Sequence, residues 1–200
     1  MLKLKKIAIT GGVASGKSSV CQLFKELGAF VVNADAIVHE LLAPNTDLGQ
    51  QIIRTLGPDV ISEGKISRRI VAEKVFKDPK SLEALERLIH PAVLKEIEKS
   101  YLDASKRGGY SSFVVEMPLL FEIGNQGSYD VIVAVVADEA VAKKRFMTAG
   151  FQPEEYDQRM RRQINPQEKA LRADYVLYNQ GSLADLRKQV IALNQTIHKS

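Results

Sequence analysis

Two hundred residues carry a formal net charge of +4, with 45% hydrophobic and 26% charged side chains. That composition suits one globular domain with a substantial core and excludes a disordered or collagen-like chain. No apolar run approaches the ~20 residues that a membrane-spanning helix needs, and the single cysteine, Cys21, excludes an internal disulfide and fits a reducing compartment.

The chain opens with a basic stretch that runs into Leu4–Thr10, apolar and branched enough for a first strand. A leader peptide would need a longer apolar run and a small-residue cleavage site, so a cytoplasmic protein with no membrane partner is expected. Ser19–Leu27 follows with Val20, Leu23, Phe24 and Leu27 at helical spacing, and Gly28 stands where a helix ends. By that spacing Cys21 lies beside the apolar face, as a small core residue. Phe30–Asn33 reads as a second strand, and Ala34–Leu42 as a helix stopped before Pro44. The middle is helical: Asp47–Leu56, Ser67–Phe76, Ser81–Ile89 and Ala92–Lys106, with His90-Pro91 breaking the last two apart and Pro91 opening the second. About seventy residues thus separate the second strand from the third, too many for a plain crossover. They predict a helical insertion of the kind that holds a second substrate. Ser112–Glu116 is a buried strand ending in an acid, and Asp130–Val136 a continuous apolar run such as central parallel strands show. Asp138 is placed to cap a helix through Met147, Gln152–Leu171 is polar and helical, Asp174–Tyr178 is a fifth strand, and Ser182–His198 a terminal amphipathic helix. The alternation predicts an α/β fold: a parallel five-stranded sheet with helices on both faces and its site at the C-terminal strand ends.

Between the first strand and first helix lies Gly11-Gly12-Val13-Ala14-Ser15-Gly16-Lys17-Ser18, which is Gly, four residues, Gly-Lys-Ser: the phosphate-binding loop (P-loop) pattern in its strand–loop–helix context. Glycines there let backbone N–H groups converge on phosphate oxygens, and the helix that continues through Ser19 adds its N-terminal partial charge. Lys17 is expected to reach the β- and γ-phosphates of a nucleoside triphosphate, and the Ser18 hydroxyl to ligate Mg²⁺. Two further strand ends face the same crevice. Asp35, in Asn33-Ala34-Asp35, suits a general base on an acceptor hydroxyl, or a carboxylate stabilised at a helix N-terminus. Glu116 suits a metal-holding acid, or a strand-terminal charge facing solvent. Arg145 and the segment carrying Arg159, Arg161, Arg162, Lys169 and Arg172 suit a phosphoryl clamp in a closing lid, or a solvated helix face. The Arg159–Arg162 cluster leaves a nucleotide-gated, nucleic-acid-associated protein as a rival, although basicity alone does not separate the two. The Asn-Lys-x-Asp and Asp-x-x-Gly signatures of GTPases are absent, as are the Gly-Lys-Gly-Thr loop and the Asp-Arg-aromatic signature of nucleotide kinases.

Taken together, the residues resemble the dephospho-coenzyme A kinase family, within the nucleoside-monophosphate-kinase-like group of P-loop proteins. The resemblance rests on Ile9–Ser18, Leu27-Gly28-Ala29, Asn33–Ala36, Arg68-Arg69, Val75-Phe76 before Asp78-Pro79, Leu88–Pro91, Met117–Glu122, Ala173–Val176, and Asn179 with Gly181 and Ser182. It implies that ATP phosphorylates the ribose 3′-hydroxyl of dephospho-coenzyme A (dephospho-CoA), the last step of coenzyme A synthesis. It implies a P-loop kinase core (about 1–35, 111–137 and 173–200), a helical substrate-binding part (about 36–110) and a lid (about 138–172). It makes Asp35 the base, places Asn179 and Gly181 near the adenine and Arg145 near ATP or the transferring phosphate, and puts Arg68, Arg69 and His90 on the acceptor side. No nucleic-acid partner is expected, and the chain is read as a monomer or weak homo-oligomer. Another small-molecule P-loop kinase is the alternative within the same class. Two positions depart from the family pattern: Asn33 where the family usually has Asp, and Glu116 where it also usually has Asp.

Overall fold

The computed structural model describes residues 4–75 and 78–199, and at Arg68 and Pro79 the backbone alone. The chain divides into two compact units, Met1–Asn33 with Tyr101–Ser200, and Ala34–Ser100.

The first unit holds β1 (Lys6–Gly11), α1 (Lys17–Glu26) and β2 (Phe30–Asn33), and resumes after the second unit with β5 (Phe113–Glu116) and β6 (Val131–Val136). It continues through α6 (Glu139–Thr148), α7 (Pro153–Met160), α8 (Pro166–Arg172), β7 (Tyr175–Tyr178) and α9 (Leu183–Lys199). The five strands form one sheet in the order β2-β5-β1-β6-β7, every pair parallel. This is the expected α/β sheet. Strand alternation sends Ile7, Ile9, Val114, Val133 and Val135 to one face, where they pack against Val20, Leu23 and Phe24 of α1 and Leu186, Val190, Leu193 and Ile197 of α9. Burying each large apolar side chain of this kind contributes about 1.5–3 kcal/mol, which is why both helices present one stripe to the sheet. On the other face Tyr101 meets Phe113 edge-on at 5.3 Å, and α8 packs against β6 and β1.

Register decides what emerges at the C-terminal edge. Asn33 lies beside Glu116, and Glu116 beside Ile9, while β1 and β6 run two residues further, to Gly11 beside Val135. The edge therefore steps down from the P-loop to the Glu116–Asn33 row.

The second unit comprises α2 (Ala34–Leu41), α3 (Asp47–Leu56), the hairpin β3 (Ile61–Ser62) and β4 (Lys65–Ile66), α4 (Arg68–Val75), and most of α5 (Pro79–Arg107). It has an apolar core of its own around Ile52, Val60, Val71, Val75 and Leu85. The Thr46 hydroxyl accepts from the Gly49 N–H at 2.9 Å and caps α3. Phe76, the expected end of the helix before it, lies outside the described residues.

Two expectations are corrected and one, the helical stretch 152–171, is made more specific. His90-Pro91 does not break a helix: α5 runs unbroken through it for 29 residues. Proline costs a helix interior ~3 kcal/mol, but Val93 and Ile97 continue the buried face begun by Leu85, and that packing holds the two halves in line. Gln152–Leu171 is two helices, because Asn165 accepts from the Gln167 N–H at 2.9 Å and Pro166 takes the first helical position, which together start α8 afresh. Asp138 stands at the start of α6 without capping it; its carboxylate accepts from the Gln180 amide at 2.8 Å.

Candidate active site

The loop between β1 and α1 closes on itself through Lys17. This side chain is buried, and its ammonium donates to the carbonyls of Gly12 at 2.7 Å and Gly11 at 3.2 Å. Those carbonyls are thereby engaged, and the Gly12 carbonyl also accepts from the Ser15 N–H at 3.4 Å, within the curl of the loop. Gly16 sits at the start of α1 with φ 100°, and a Cβ there would lie 2.1 Å from Asn179 Nδ2. Both the left-handed backbone and the close approach require glycine. The buried Ser15 hydroxyl finds no hydrogen-bond partner among the described residues.

Asn179 ties the loop to the far edge of the sheet. Its Nδ2 donates to the Ser15 carbonyl at 2.8 Å, and its own N–H reaches the Val136 carbonyl at 2.7 Å. Arg145 of α6 then clasps Asn179, Nη1 to the backbone carbonyl at 3.0 Å and Nη2 to Oδ1 at 3.3 Å. The expected pair Asn179 and Arg145 is thus brought to the loop, with Gly181 two residues on, beside the Asp185 carboxylate that accepts from Ser182, whose hydroxyl in turn accepts from the Asp185 N–H and caps α9.

The acid at the end of β5 lies on the α1 face. Glu116 Oε1 accepts from the Ser18 hydroxyl at 2.8 Å, and Oε2 accepts from the Asn33 amide at 2.9 Å. Only 7% of Glu116 is exposed, so it is not a strand-terminal charge facing solvent. Cys21 lies one turn beyond Ser18 on α1; burial first, and the Glu116 carboxylate second, push its thiol well above the ordinary range. A thiol held protonated in this way is a core group, as its spacing predicts.

Beside the loop, α7 and α8 enclose a pocket of about 440 Å³ lined by Ala137, Glu139, Tyr156, Arg161, Asn165 and Gln167, among others. Lys143 pairs with both Glu139 and Asp157 at 3.0 Å, so one ammonium offsets part of the charge of two lining acids. The basic segment itself sorts unevenly. Arg159 lies over the Phe146 and Phe151 rings, and Arg172 pairs with Glu168 over Phe121. Lys169 is fully buried and pairs with Glu122 at 2.8 Å. A solvated helix face is therefore the wrong description for Lys169. The partners that sequence reasoning passed over are Asn33 for Glu116 and Glu122 for Lys169. Asn33 had a signal, standing at a strand end where the family pattern has an acid.

The remaining candidates belong to the second unit. Asp35 is exposed in the first turn of α2. Arg68 opens α4, the exposed Arg69 donates to Glu73 at 2.7 Å, and half-buried His90 lies in the middle of α5.

Comparison with known proteins identifies the family. The dephospho-CoA kinase family model matches residues 5–185. A dephospho-CoA kinase of Protochlamydia amoebophila is 43% identical over 199 residues, covering 98% of each chain. That of Chlamydia pneumoniae is 41% identical over 191 residues, 95% of each. The structure of the Campylobacter jejuni dephospho-CoA kinase superposes with a TM-score of 0.71 at 27% identity, over 97% of both chains. With similarity of this depth running through sheet, loop and both units, the chain belongs to the dephospho-CoA kinase family.

Proposed function

We infer that this kinase transfers the terminal phosphoryl group of ATP to the ribose 3′-hydroxyl of dephospho-CoA, with Asp35 as the base and Mg²⁺ as the companion ion. The observation that carries the reading is the Lys17-closed P-loop next to the Ser18–Glu116–Asn33 row. The loop's N–H groups and the start of α1 hold the phosphates, and the Ser15 hydroxyl is a buried polar group that a phosphate oxygen would complete. Lys17 exchanges its two carbonyl partners for the β- and γ-oxygens. Ser18 and Glu116 are hard oxygen donors of the sort that magnesium takes, one or two from the protein and the rest from phosphates and water. Held by these two residues, such an ion would supply charge neutralisation for the transferring group. Asn33 donates to one carboxylate oxygen of Glu116 and so keeps the other turned toward Ser18.

Asp35 takes the proton of the 3′-hydroxyl as it attacks, and Arg68, Arg69 and His90 serve acceptor binding. Arg145 and Asn179 hold the nucleotide side, with Gly181 near the adenine. Residues 138–172 act as the lid, and the enzyme works in the cytoplasm as a monomer or weak homo-oligomer without nucleic acid. No described helix is long and apolar enough to cross a membrane.

The test is acceptor-dependent turnover. Protein with ATP and Mg²⁺ should release ADP when dephospho-CoA is added and not when adenosine, AMP or shikimate replaces it; indifference to dephospho-CoA would sink the reading. Asp35→Asn should lower kcat by ~10²–10⁴-fold, the usual contribution of a general base, while ATP titration remains near that of the parent. A near-normal kcat would move the base elsewhere.

A further inference from the structure

Lys169 is a charged side chain with no exposed surface, on the inner side of α8, while Leu171 two residues on is 88% exposed. Its ammonium donates to the Pro118 carbonyl at 2.6 Å and pairs with Glu122 Oε1 at 2.8 Å. The same Glu122 oxygen accepts from the Ile164 N–H at 2.8 Å, in the turn that leads into α8. Glu122 Oε2 is buried and finds no donor among the described residues. Burial lowers the affinity of Lys169 for its proton, and the Glu122 contact works against that shift. A buried ion pair of this kind is poor evidence for stability, since apolar residues of similar volume often serve as well or better. Its presence in the core asks for another reason.

The geometry supplies one. Pro118 follows Glu116 by two residues, and its carbonyl also accepts from Thr10 Oγ1 at 3.3 Å, on the residue just before Gly11. Lys169 therefore joins α8 to the segment after β5 and, through one shared oxygen, to the start of the P-loop. At the first position of the same short helix, one turn before Lys169, Pro166 lies against the loop itself: a Cβ on Gly12 would stand 2.9 Å from Pro166 Cγ and 3.8 Å from Met160 Cε. Gly12 is also the closer of the two carbonyl partners of Lys17. The loop is thus approached at two points, through Thr10 and through Pro166 against Gly12, and both contacts run back to Lys169.

We propose that Lys169, with Glu122 as its buried counter-ion, is a positioning residue for the P-loop. It seats α8 so that Pro166 braces Gly12 and keeps the loop's N–H groups and Lys17 in the geometry that the ATP phosphates need. The pair touches no substrate and acts only through the loop. The proposal rests on the reading of that loop as the ATP site, and not on the identity of the acceptor.

Two variants test it. Lys169→Met with Glu122→Met removes both charges together and leaves no lone buried ion; Pro166→Ala removes the brace without touching the pair. Each is titrated with a fluorescent ATP analogue, melted with and without ATP, and assayed for KM of ATP and of dephospho-CoA separately. Both variants should weaken nucleotide binding by about tenfold or more, the scale on which loss of an outer orienting partner acts. KM for dephospho-CoA should stay within about twofold, because binding lost on one side alone appears in that substrate's KM. Parental ATP affinity in the folded double variant would overturn the proposal and leave the pair a packing feature. Should the double variant not fold, parental ATP affinity in Pro166→Ala would overturn it equally. Binding of the ATP analogue is read without any acceptor, so absent turnover on dephospho-CoA would count against the function alone.

Discussion

Glu116 shows how much one side chain can organise. It takes the Ser18 hydroxyl on one oxygen and the Asn33 amide on the other, so an acid at a buried strand end is oriented without a second carboxylate beside it. Had Asp stood at 33, two carboxylates would face each other across neighbouring strands, and like charges at that range raise one another's pKa. An amide next to the longer glutamate arm avoids the conflict. Cys21, one turn along α1, feels the same acid. We expect the native thiol to resist iodoacetamide at pH 8 and to react only after denaturant is added; rapid labelling of folded protein, read by mass spectrometry, would contradict the burial described here. Residue identity alone was a poor guide at Lys169 and Leu171, where burial is opposite to hydropathy. The exchange follows from the two buried acceptors, Pro118 O and Glu122, which sit far away in the chain and satisfy an ammonium as no local neighbour could.

At the level of elements, local signals were strong wherever periodicity or capping was strong. β2 and α3 begin and end where spacing put them, and α1 starts at the P-loop's own lysine. The hairpin β3–β4 was not legible: each strand has two residues, and its turn at Glu63-Gly64 uses positive φ at both positions, 50° and 72°, without the Asn-Gly or Asp-Gly pair that announces such turns. The continuity of α5 through Pro91 was hidden for another reason, since what outweighs a proline is the burial of Leu85, Val93 and Ile97 on either side of it, which is a tertiary property. The loop–α1 junction carries the sharpest element-scale prediction. Gly16→Ala places a Cβ against Asn179 and forces a left-handed backbone on a residue that resists it. Strain at such a position costs about 1–3 kcal/mol, so a lowered thermal midpoint should accompany loss of ATP binding by titration. Parental values for both would mean that the loop does not need the Asn179 contact.

For the molecule as a whole, several carboxylates gain partners only on folding. Arg187 and Gln22 hold Glu26 below its ordinary range, Lys74 does so for Asp59, and Ser81 and Ser182 with backbone N–H groups do so for Asp78 and Asp185. A depressed folded pKa stabilises above the unfolded value, about 4, and the gain is lost as pH falls through the folded value. The thermal midpoint should therefore drop between pH 5 and pH 2.5, and Arg187→Met should flatten part of that drop; a midpoint indifferent to acid would refute the assignment. What the sequence by itself determined was the class of chemistry and its frame: a P-loop in strand–loop–helix context, five strands alternating with helices, a helical insertion, and signatures narrow enough to point to one family. These are properties of contiguous residues, whose spacing alone dictates backbone shape and face. Only the tertiary structure decided which groups meet across the chain: Asn33 with Glu116 at 83 residues' separation, Asn179 with Ser15 at 164, and Lys169 with Pro118 at 51. Side-chain hydrogen bonds of that reach depend on sheet order and register, and no local pattern in a single sequence encodes either.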